Sequence, residues 1–518
     1  MGRIVIDPVT RIEGHLKVEA ITERGVVKEA RCSGLLFRGI ELILRGRDPR
    51  DASRITQRIC GVCPTAHAVA SALALDDAFG IAEQVPPNGR VMRNLILGSN
   101  FVQSHLLHFY HLAALDYVDL ASAAGYSGSD ERLRQVAAFI SRGQLAPFFP
   151  RYEGDYRLPK AANLAAVSHY VEALDRRREA QEMLSIFGGK MPHQMGTFPG
   201  GALEVVTVDK IAAFRWRLQR LREFVDHVYI PDVLAVADTY ADYLEMGRGP
   251  ARYLSYGAWD QDAEPDPTRR SRSLPGGTLD GGRMVYEPLD PEKITEQVKH
   301  SWYNTGTDLP PSLGKTEPEP DKLGAYSFLK APRYGGEVHE VGPLARMLVA
   351  YAQDHPEVKP LVDGALAELR AGPQALFSVM GRHAARALEC KAIADAMAGW
   401  VLELTPGEPA CAQFEVPETG SGMGLTEAPR GSLGHWIEIE DGVIANYQAV
   451  VPTTWNCSPR DDRGQPGACE QALEGATVRD PENPLELMRI VRSFDPCLAC
   501  AIHLITPKGH EISHFRVV

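Results

Sequence analysis

The segment "RICGVC" at residues 58–63 carries one C-x-x-C pair, and "DPCLACAIH" at 495–503 carries a second one. A C-x-x-C spacing brings two thiolates within reach of one soft metal ion, because the two intervening residues let the chain curl. Two such pairs supply four sulfur ligands. Since the pairs stand at opposite ends of the sequence, a single four-sulfur site would join the two ends of the chain.

The residues beside the cysteines predict more than a structural metal clamp. Pro64 suits the first turn of a helix, so Cys63 would lie where the helix dipole favours a thiolate. His67 follows one turn later and could donate a hydrogen bond to whatever the sulfurs hold. Asp495 precedes the second pair and His503 follows it. Four thiolates, a carboxylate and two histidines could move protons as well as bind a metal.

Length and charge limit the classes of protein. The 518 residues predict two to four structural lobes, and the net charge of −12 argues against a nucleic-acid or anionic-membrane surface. No run approaches the roughly 18 apolar residues of a membrane span. The start "MGRIVIDPVTRIEGH" lacks the basic and apolar regions of a signal peptide, so export would depend on a partner's signal.

The cysteine count argues against a disulfide framework. There are nine cysteines, an odd number, and four of them form the two pairs. We expect the others to be small buried residues: Cys32, Cys390, Cys411, Cys457 and Cys469. Structural zinc is the usual interpretation of two C-x-x-C pairs, but zinc ribbons normally keep their pairs close in sequence.

Hydrophobic periodicity predicts an α+β fold, mainly α, with a bundle of long helices as its core. Alternating residues at 3–38 predict antiparallel strands, and helical spacing predicts helices at 64–82, 87–120, 207–244 and 361–404. Gly, Pro and Asp in 246–340 predict loops and short strands, and strands return after residue 411. The predicted regions are 1–60 (β-rich), 61–245 (helical), 246–340 (insertion), 341–410 (helical), 411–503 (β and loop) and 504–518 (a C-terminal extension).

Six motifs together resemble the large subunit of nickel–iron hydrogenases, including the nickel–iron–selenium branch. They occur in the order expected of that family: "RIEGH" 11–15, "FRGIE" 37–41, "RICGVCPTAH" 58–67, "EAPRG" 427–431, "YQAVVPTTWN" 447–456 and "DPCLACAIH" 495–503. The resemblance extends from residue 3 to the end of the chain, and it displaces the zinc interpretation.

The resemblance implies that the four cysteines hold nickel beside an iron that carries one carbonyl and two cyanides. Cys60 and Cys497 match the terminal nickel ligands, whereas Cys63 and Cys500 match the bridges to iron. Such a centre would split H2 heterolytically, with the Cys497 sulfur as the first base. Selenium-containing relatives carry selenocysteine at that position, and this chain has Cys497.

Further site residues follow from the motifs. Glu13 matches a carboxylate that relays protons outward; its alternative role is a salt bridge with Arg11 or another cation. Arg430 matches an arginine held over the metals, and Asp495 matches its carboxylate partner. Pro429 and Thr453 match residues that line the pocket around the cyanide and carbonyl ligands. His67 would lie beside the sulfurs.

A second ion site is also implied. Glu41 and His503, with a backbone carbonyl near Ala449, match a site that usually holds magnesium. Many relatives have an acidic residue where this chain has Ser104, which would leave Arg430 with one carboxylate neighbour fewer. Three histidines recur on one face of the 87–120 helix, and we expect a core or interface role for them: His105, His108 and His111.

The resemblance implies an obligate heterodimer. No remaining cysteine cluster has iron–sulfur spacing, so electrons would leave through iron–sulfur clusters in a small subunit, docked near "RIEGH", "FRGIE" and "RICGVC". Periplasmic or membrane-associated placement would follow from that partner's export signal, and a cytoplasmic enzyme is the alternative. The competing functions are a metal-free, complex I-like subunit of the same fold, which would lack these cysteines, and a structural-zinc protein.

Maturation is the last expectation. In this family a protease removes the C-terminal peptide after the final histidine of the D-P-C-x-x-C-x-x-H motif. Cleavage here would fall between His503 and Leu504 and would release "LITPKGHEISHFRVV". The alternative is a C-terminal strand that stays in place, which the alternating "HEISHFRVV" would permit.

Overall fold

The N-terminal sheet and the helices that follow it surround the first cysteine pair. In the computed structural model, which describes residues 1–143 and 154–498, the first three strands form one antiparallel sheet in the order β1-β2-β3. Strand β2 alternates buried and half-buried side chains, as the sequence predicts. The elements are β1 Gly2–Ile6, β2 Leu16–Glu23, β3 Val26–Gly34, α1 Ile40–Leu44, α2 Ala52–Ile55 and α3 Pro64–Ala78.

Long helices form the core, which confirms the predicted fold class; 45% of the residues are helical and 18% are in strands. Helix α11 packs against α4, α7 and α8, and α6 packs against α4 and α7. The helices are α4 Pro87–Leu106, α5 Glu131–Ser141, α6 Lys160–Gly188, α7 Val208–Phe224, α8 Ile230–Thr239, α9 Pro343–Ala352, α10 Val358–Glu368 and α11 Val379–Glu403.

Two of the predicted helices are shorter than expected. The 87–120 helix is α-helical only to Leu106 and continues as a π-helix over Leu107–Ala113. The 361–404 segment is two helices, because Gly372 and Pro373 interrupt it between α10 and α11. Helix α6, the longest in the described part, was not among the predicted helices, since arginines and glutamates on its exposed face dilute the apolar pattern.

Short strands and loops make up residues 246–340, as predicted. These strands form small antiparallel sheets on the surface of the helical core. With the earlier hairpin, they are β4 Thr197–Phe198, β5 Gly201–Ala202, β6 Arg252–Ser255, β7 Ala258–Asp260, β8 Arg272–Leu274, β9 Gly277–Asp280, β10 Val285–Glu287, β11 Ile294–Gln297 and β12 Ala331–Tyr334.

A three-stranded antiparallel sheet and three short helices complete the described chain. The sheet has the order β13-β14-β15, and α3 lies across β13. The strands predicted after residue 411 are therefore present, whereas the helices α12, α13 and α14 were not predicted. The elements are β13 Gly420–Ala428, β14 Gly431–Glu440, β15 Val443–Val450, α12 Pro452–Asn456, α13 Ala468–Leu473 and α14 Leu485–Ser493.

Glycines set the distance between α3 and the C-terminal sheet. Gly422 and Gly424 are two residues apart on one face of β13. A Cβ at Gly422 would collide with the carbonyl oxygen of Ala74, and one at Gly424 with that of Ala70. The helix therefore lies directly on the sheet. This close packing places the first turn of α3, which follows Cys63, beside the sheet.

Candidate metal centre

Three thiols from opposite ends of the chain meet in the interior. Cys60 follows a 3-10 turn over Thr56–Ile59, Cys63 immediately precedes α3, and Cys497 follows α14. The Sγ atoms of Cys60 and Cys63 are 3.1 Å apart, and those of Cys60 and Cys497 are 3.4 Å apart. Cys500, the predicted fourth ligand, lies outside the described residues.

The geometry of these thiols fits a single soft metal ion. All three Sγ atoms lie within 4.8 Å of one another, and the three side chains are buried. The separations are too long for a disulfide bond, which is about 2.05 Å. An ion about 2.3 Å from each sulfur would fit between the thiols, and thiolates favour soft transition metals. Within the described part of the chain, this is the one cluster with metal-binding spacing.

Backbone hydrogen bonds join the "RIEGH" segment to the second cysteine motif. The Glu13 amide donates to the Pro496 carbonyl at 3.4 Å, and the Leu498 amide donates to the Glu13 carbonyl at 2.6 Å. The Cys497 amide donates to the Thr453 hydroxyl at 2.9 Å. Glu13 is half-buried. The structure thus brings Glu13 and Thr453, two of the predicted site residues, directly against Cys497.

Arg430 lies beside the thiols with part of its guanidinium unpaired. Its Nη2 is 3.1 Å from Oδ1 of Asp495, the predicted partner. Its Nε and Nη1 are buried and have no hydrogen-bond partner among residues 1–143 and 154–498. Burial lowers the pKa of Arg430, but the negative charges of Asp495, Cys497 and Cys63 outweigh burial and raise it well above its ordinary value. The side chain is therefore a permanent cation.

The unpaired N–H groups of Arg430 are a second observation, besides the thiol cluster, that favours a metal centre at this site. A buried N–H without an acceptor costs about 1–3 kcal/mol, and more when it is charged. Arg430 keeps two such groups beside three thiols. Small anionic or polar ligands on a metal would be suitable acceptors, so the residues present fit a metal centre that carries such ligands.

Asp495 is held in an unusual backbone conformation. Its φ of 55° lies in the left-handed region, which aspartate tolerates better than most residues. This conformation turns the chain from α14 into the cysteine motif. Burial raises the pKa of the Asp495 carboxyl to about 6, although the positive charges of Arg430 and Arg386 act in the opposite direction.

A buried network of charges supports the loop that carries Arg430. Arg346 donates from Nη2 to the Pro429 carbonyl at 3.0 Å and from Nη1 to Glu427 at 2.6 Å. It also pairs with Glu389 of α11 at 2.5 Å. Glu389 is 2.8 Å from Nε2 of His105, whose pKa burial lowers to about 4. The ion pairs of Arg346 with Glu389 and Glu427 therefore support the loop conformation around Pro429.

The three histidines of the 87–120 segment have core roles, as predicted. His105 binds Glu389, His108 lies 2.7 Å from the Arg492 carbonyl, and His111 lies 3.2 Å from the Tyr170 carbonyl. Ser104 is buried, and its hydroxyl has no partner within the described ranges.

Glu41 lies in a separate buried polar cluster. Its Oε1 accepts from the Ala449 amide at 2.8 Å, and its Oε2 accepts from the Thr316 hydroxyl. Thr316 also accepts from Gln448, which is 3.0 Å from Nζ of Lys330. His503, the other predicted ligand of this second ion site, lies outside the described residues.

Sequence reasoning missed several residues around the centre. Arg386 was missed although α11 carries a visible signal: buried charged residues recur at turn spacing on one helix face, namely Arg382, Arg386 and Glu389. His435 and Tyr447 were missed because each stands singly in a strand. They form a hydrogen-bonded chain with the predicted His67: His67 Nδ1 is 3.2 Å from His435 Nε2, and His435 Nδ1 is 2.8 Å from the Tyr447 hydroxyl.

A deeply buried thiol cluster in a helical core, next to a permanently charged arginine, is the site of a protein that binds a soft metal ion. Comparisons with known proteins identify the family. The profile described as nickel-dependent hydrogenase matches residues 38–503, and one described as HoxL-like matches residues 3–33.

Individual relatives match over nearly the whole chain. The periplasmic [NiFeSe] hydrogenase large subunit of Desulfomicrobium baculatum is 44% identical over 98% of this chain and 96% of its own length. The uptake hydrogenase large subunit of Rhizobium leguminosarum bv. viciae is 40% identical over 99% of this chain and 97% of its own. A solved structure of the Ni-Fe-Se hydrogenase from D. vulgaris Hildenborough, at 47% identity, superimposes with a TM-score of 0.87 over 97% of this chain and 100% of that one.

The chain belongs to the nickel-dependent hydrogenase family. It is an oxidoreductase of the hydrogenase large-subunit type, with cysteines placed to bind a metal. The metal-free and structural-zinc alternatives are not supported by these matches. None of the helices in the described ranges combines the length and apolar character that a membrane span requires.

Proposed function

We propose that this chain catalyses reversible heterolytic cleavage of H2 at a nickel–iron centre with two cyanides and one carbonyl on the iron. The observation that carries the proposal is the convergence of Cys60, Cys63 and Cys497 beside the unpaired N–H groups of Arg430. A structural metal site needs ligands only. This one adds a buried cation next to the thiols, where a redox centre would carry negatively charged ligands.

The ligand roles follow the motif positions. By motif position, Cys60, Cys63, Cys497 and Cys500 would supply the four sulfurs that hold nickel and iron. When bound, the centre supplies a redox-active Lewis acid that polarises H2. The short distances among the described thiols support a preorganised site, since the chain's own packing brings the sulfurs together.

Arg430 and its neighbours hold and shape the ligand pocket. The guanidinium would donate to an anionic ligand of the bound centre and stabilise its negative charge, because an arginine stays protonated at every working pH. Asp495 orients it through the 3.1 Å contact, and the 3.0 Å bond from Arg346 to the Pro429 carbonyl supports the loop that presents it. The hydroxyl of Thr453 positions the Cys497 amide.

The proton leaves through Cys497 and Glu13. The sulfur of Cys497 accepts it first, and the Glu13 carboxylate then carries it outward. Two observations support this route: the backbone of Glu13 is bonded to the Cys497 segment, and Glu13 is half-buried, neither sealed in the core nor fully exposed. Arg11, the cation considered as a salt-bridge partner for Glu13, pairs with Asp116.

The second ion site uses Glu41, His503 and a carbonyl near Ala449, and magnesium is the proposed ion. The buried, hydrogen-bonded carboxylate of Glu41 supports this assignment, since Mg²⁺ prefers oxygen ligands.

An iron–sulfur small subunit completes the enzyme. The names of the relatives describe them as large subunits, which implies such a partner for this chain too. The docking face includes "RIEGH", "FRGIE" and "RICGVC". The name of the D. baculatum relative supports a periplasmic location, reached through an export signal on the small subunit. A maturation protease that removes residues 504–518 is the last proposed partner.

An infrared spectrum with metal analysis tests the proposed function. The purified complex should contain nickel and iron and should show carbonyl and cyanide stretches in the region where proteins do not absorb. Zinc without nickel or iron, together with a silent spectrum, would contradict the proposal.

A further inference from the structure

A chain of three buried side chains runs from the C-terminal sheet to the helix that follows Cys63. The Tyr447 hydroxyl is 2.8 Å from Nδ1 of His435, and Nε2 of His435 is 3.2 Å from Nδ1 of His67. All three residues are at most 1% exposed. Nε2 of His67, the last atom of the chain, is buried without a partner among the described residues.

The fold joins this chain to the first cysteine pair through α3. His67 follows Cys63 by one helical turn, so the two residues lie on the same face of α3. The glycines of β13 let α3 lie close enough to the sheet for His67 to reach His435 on β14. Tyr447 stands on β15 opposite Ile437, two residues from His435, so its ring is a diagonal neighbour of the histidine.

Two physical reasons select the direction of the hydrogen bonds. A phenol is a stronger donor than a neutral imidazole, so Tyr447 donates to Nδ1 of His435. His435 then carries its proton on Nε2 and donates to Nδ1 of His67, which leaves the His67 proton on Nε2. The reverse direction would leave a bare nitrogen lone pair on His67 facing away from His435. A thiolate facing Nε2 of His67 would repel a lone pair and attract an N–H.

The charge state of the middle residue agrees with this assignment. Burial, and next the neighbouring His67, hold the pKa of His435 well below its ordinary value. His435 is therefore neutral at physiological pH, and a neutral imidazole has one donor and one acceptor nitrogen.

We propose that Tyr447 and His435 are positioning residues that hold His67 in the Nε2–H tautomer, so that His67 presents a fixed donor to the sulfur ligands of the metal centre. The proposal rests on the proposed function, and it assigns roles to two residues outside the ligand set. A hydrogen bond to a ligand sulfur withdraws electron density from the metals. Losing it should move the carbonyl stretch to lower frequency.

The test uses His435→Phe, His435→Gln and Tyr447→Phe in the assembled enzyme. Phenylalanine keeps the ring at position 435 but removes both hydrogen bonds. Glutamine loses the ring but can accept from Tyr447 through Oε1 and donate to His67 through Nε2. Tyr240→Phe is the matched control, since Tyr240 is equally buried and its hydroxyl donates to the Asp155 carbonyl at 2.8 Å, away from the thiols.

We expect Tyr447→Phe and His435→Phe to shift the carbonyl band to lower frequency and to lower turnover about fivefold, with nickel content unchanged. His435→Gln should return the band toward the wild-type position, whereas a packing role would favour Phe over Gln. Tyr240→Phe should leave the band in place.

Unshifted bands in both Phe variants would overturn the proposal. Loss of nickel from Tyr447→Phe but not from Tyr240→Phe would also overturn it, because it would assign these residues a structural role. If His435→Phe does not assemble, the proposal is judged from the carbonyl band of Tyr447→Phe compared with that of Tyr240→Phe. The wild-type spectrum separates this test from the test of the proposed function. If the wild-type enzyme shows no carbonyl band, the proposed hydrogenase function is contradicted, whatever the variants show.

Discussion

At the scale of single residues, Arg430 combines a permanent charge with N–H groups that only a bound ligand would satisfy. Arg430→Lys keeps the positive charge but loses the planar guanidinium, whose N–H groups donate hydrogen bonds in several fixed directions. We expect turnover to fall by more than about tenfold while nickel and iron contents stay normal, since Arg430 does not ligate the metals. Hydrogen oxidation assays with metal analysis measure both quantities. An undiminished rate would remove Arg430 from the catalytic machinery.

Cys497 is the residue on which the metal site depends most directly. Serine is a harder ligand than cysteine and is protonated at neutral pH, so Cys497→Ser should lose both nickel and activity. Cys411→Ser is the matched control, because Cys411 is half-buried with its thiol near the Pro199 carbonyl and takes no part in the thiol cluster. Full turnover with normal nickel in Cys497→Ser would end the hydrogenase assignment of this site.

A substitution of the Glu13 side chain should leave the hydrogen bonds to the second cysteine motif in place, because the backbone of Glu13 makes those bonds. Glu13→Gln keeps the shape of the side chain but cannot carry a proton. We expect exchange between hydrogen gas and solvent deuterium to fall to near background, with the metals in place. The exposed Glu23 of β2 offers the control variant Glu23→Gln, which should exchange normally. Unchanged exchange in Glu13→Gln would exclude the residue from the proton route.

At the scale of elements, the packing of α3 on β13 holds Cys63 and His67 in place. Gly424→Ala would drive a methyl group into the backbone carbonyl of Ala70, which cannot move aside as a side chain could. We expect the free energy of unfolding to fall by about 3 kcal/mol or more, and nickel content to fall with it.

Gly399→Ala is the control for this substitution. Gly399 is an exposed residue of α11, and a Cβ there meets nothing within 4 Å. Alanine should leave stability unchanged or raise it by up to about 1 kcal/mol, because it favours the helix. Chemical unfolding of both variants measures the difference, and equal stabilities would show that the glycines are not needed for this contact.

At the scale of the whole molecule, the two ends of the chain are joined at the site. The second cysteine motif pairs through its backbone with Glu13, and the family match ends at residue 503. His503 follows the buried Cys497 by only six residues along the chain. We expect mass spectrometry of the active enzyme to find a large subunit that ends at His503. An active, nickel-containing subunit that still ends at Val518 would contradict the processing step.

How far the sequence predicts the site depends on which residues carry a local signal. Cys60, Cys63 and Cys497 are recognisable because ligand spacing and flanking residues are local properties, and Pro64 marks the start of α3 from the sequence alone. The helices were predicted where apolar residues recur, but their ends were not, because the π-helix after Leu106 produces no break in that pattern.

The family resemblance, the α+β fold class and the ligand types follow from the amino-acid sequence alone, since they reside in short motifs and in periodicity. The residues that surround the ligands are known only from the folded chain. His435 contacts His67 across 368 residues of chain, and Arg386 approaches Asp495 from the middle of a helix. No local pattern encodes such contacts, because they arise when α3 packs on a glycine-lined strand and the two chain ends meet.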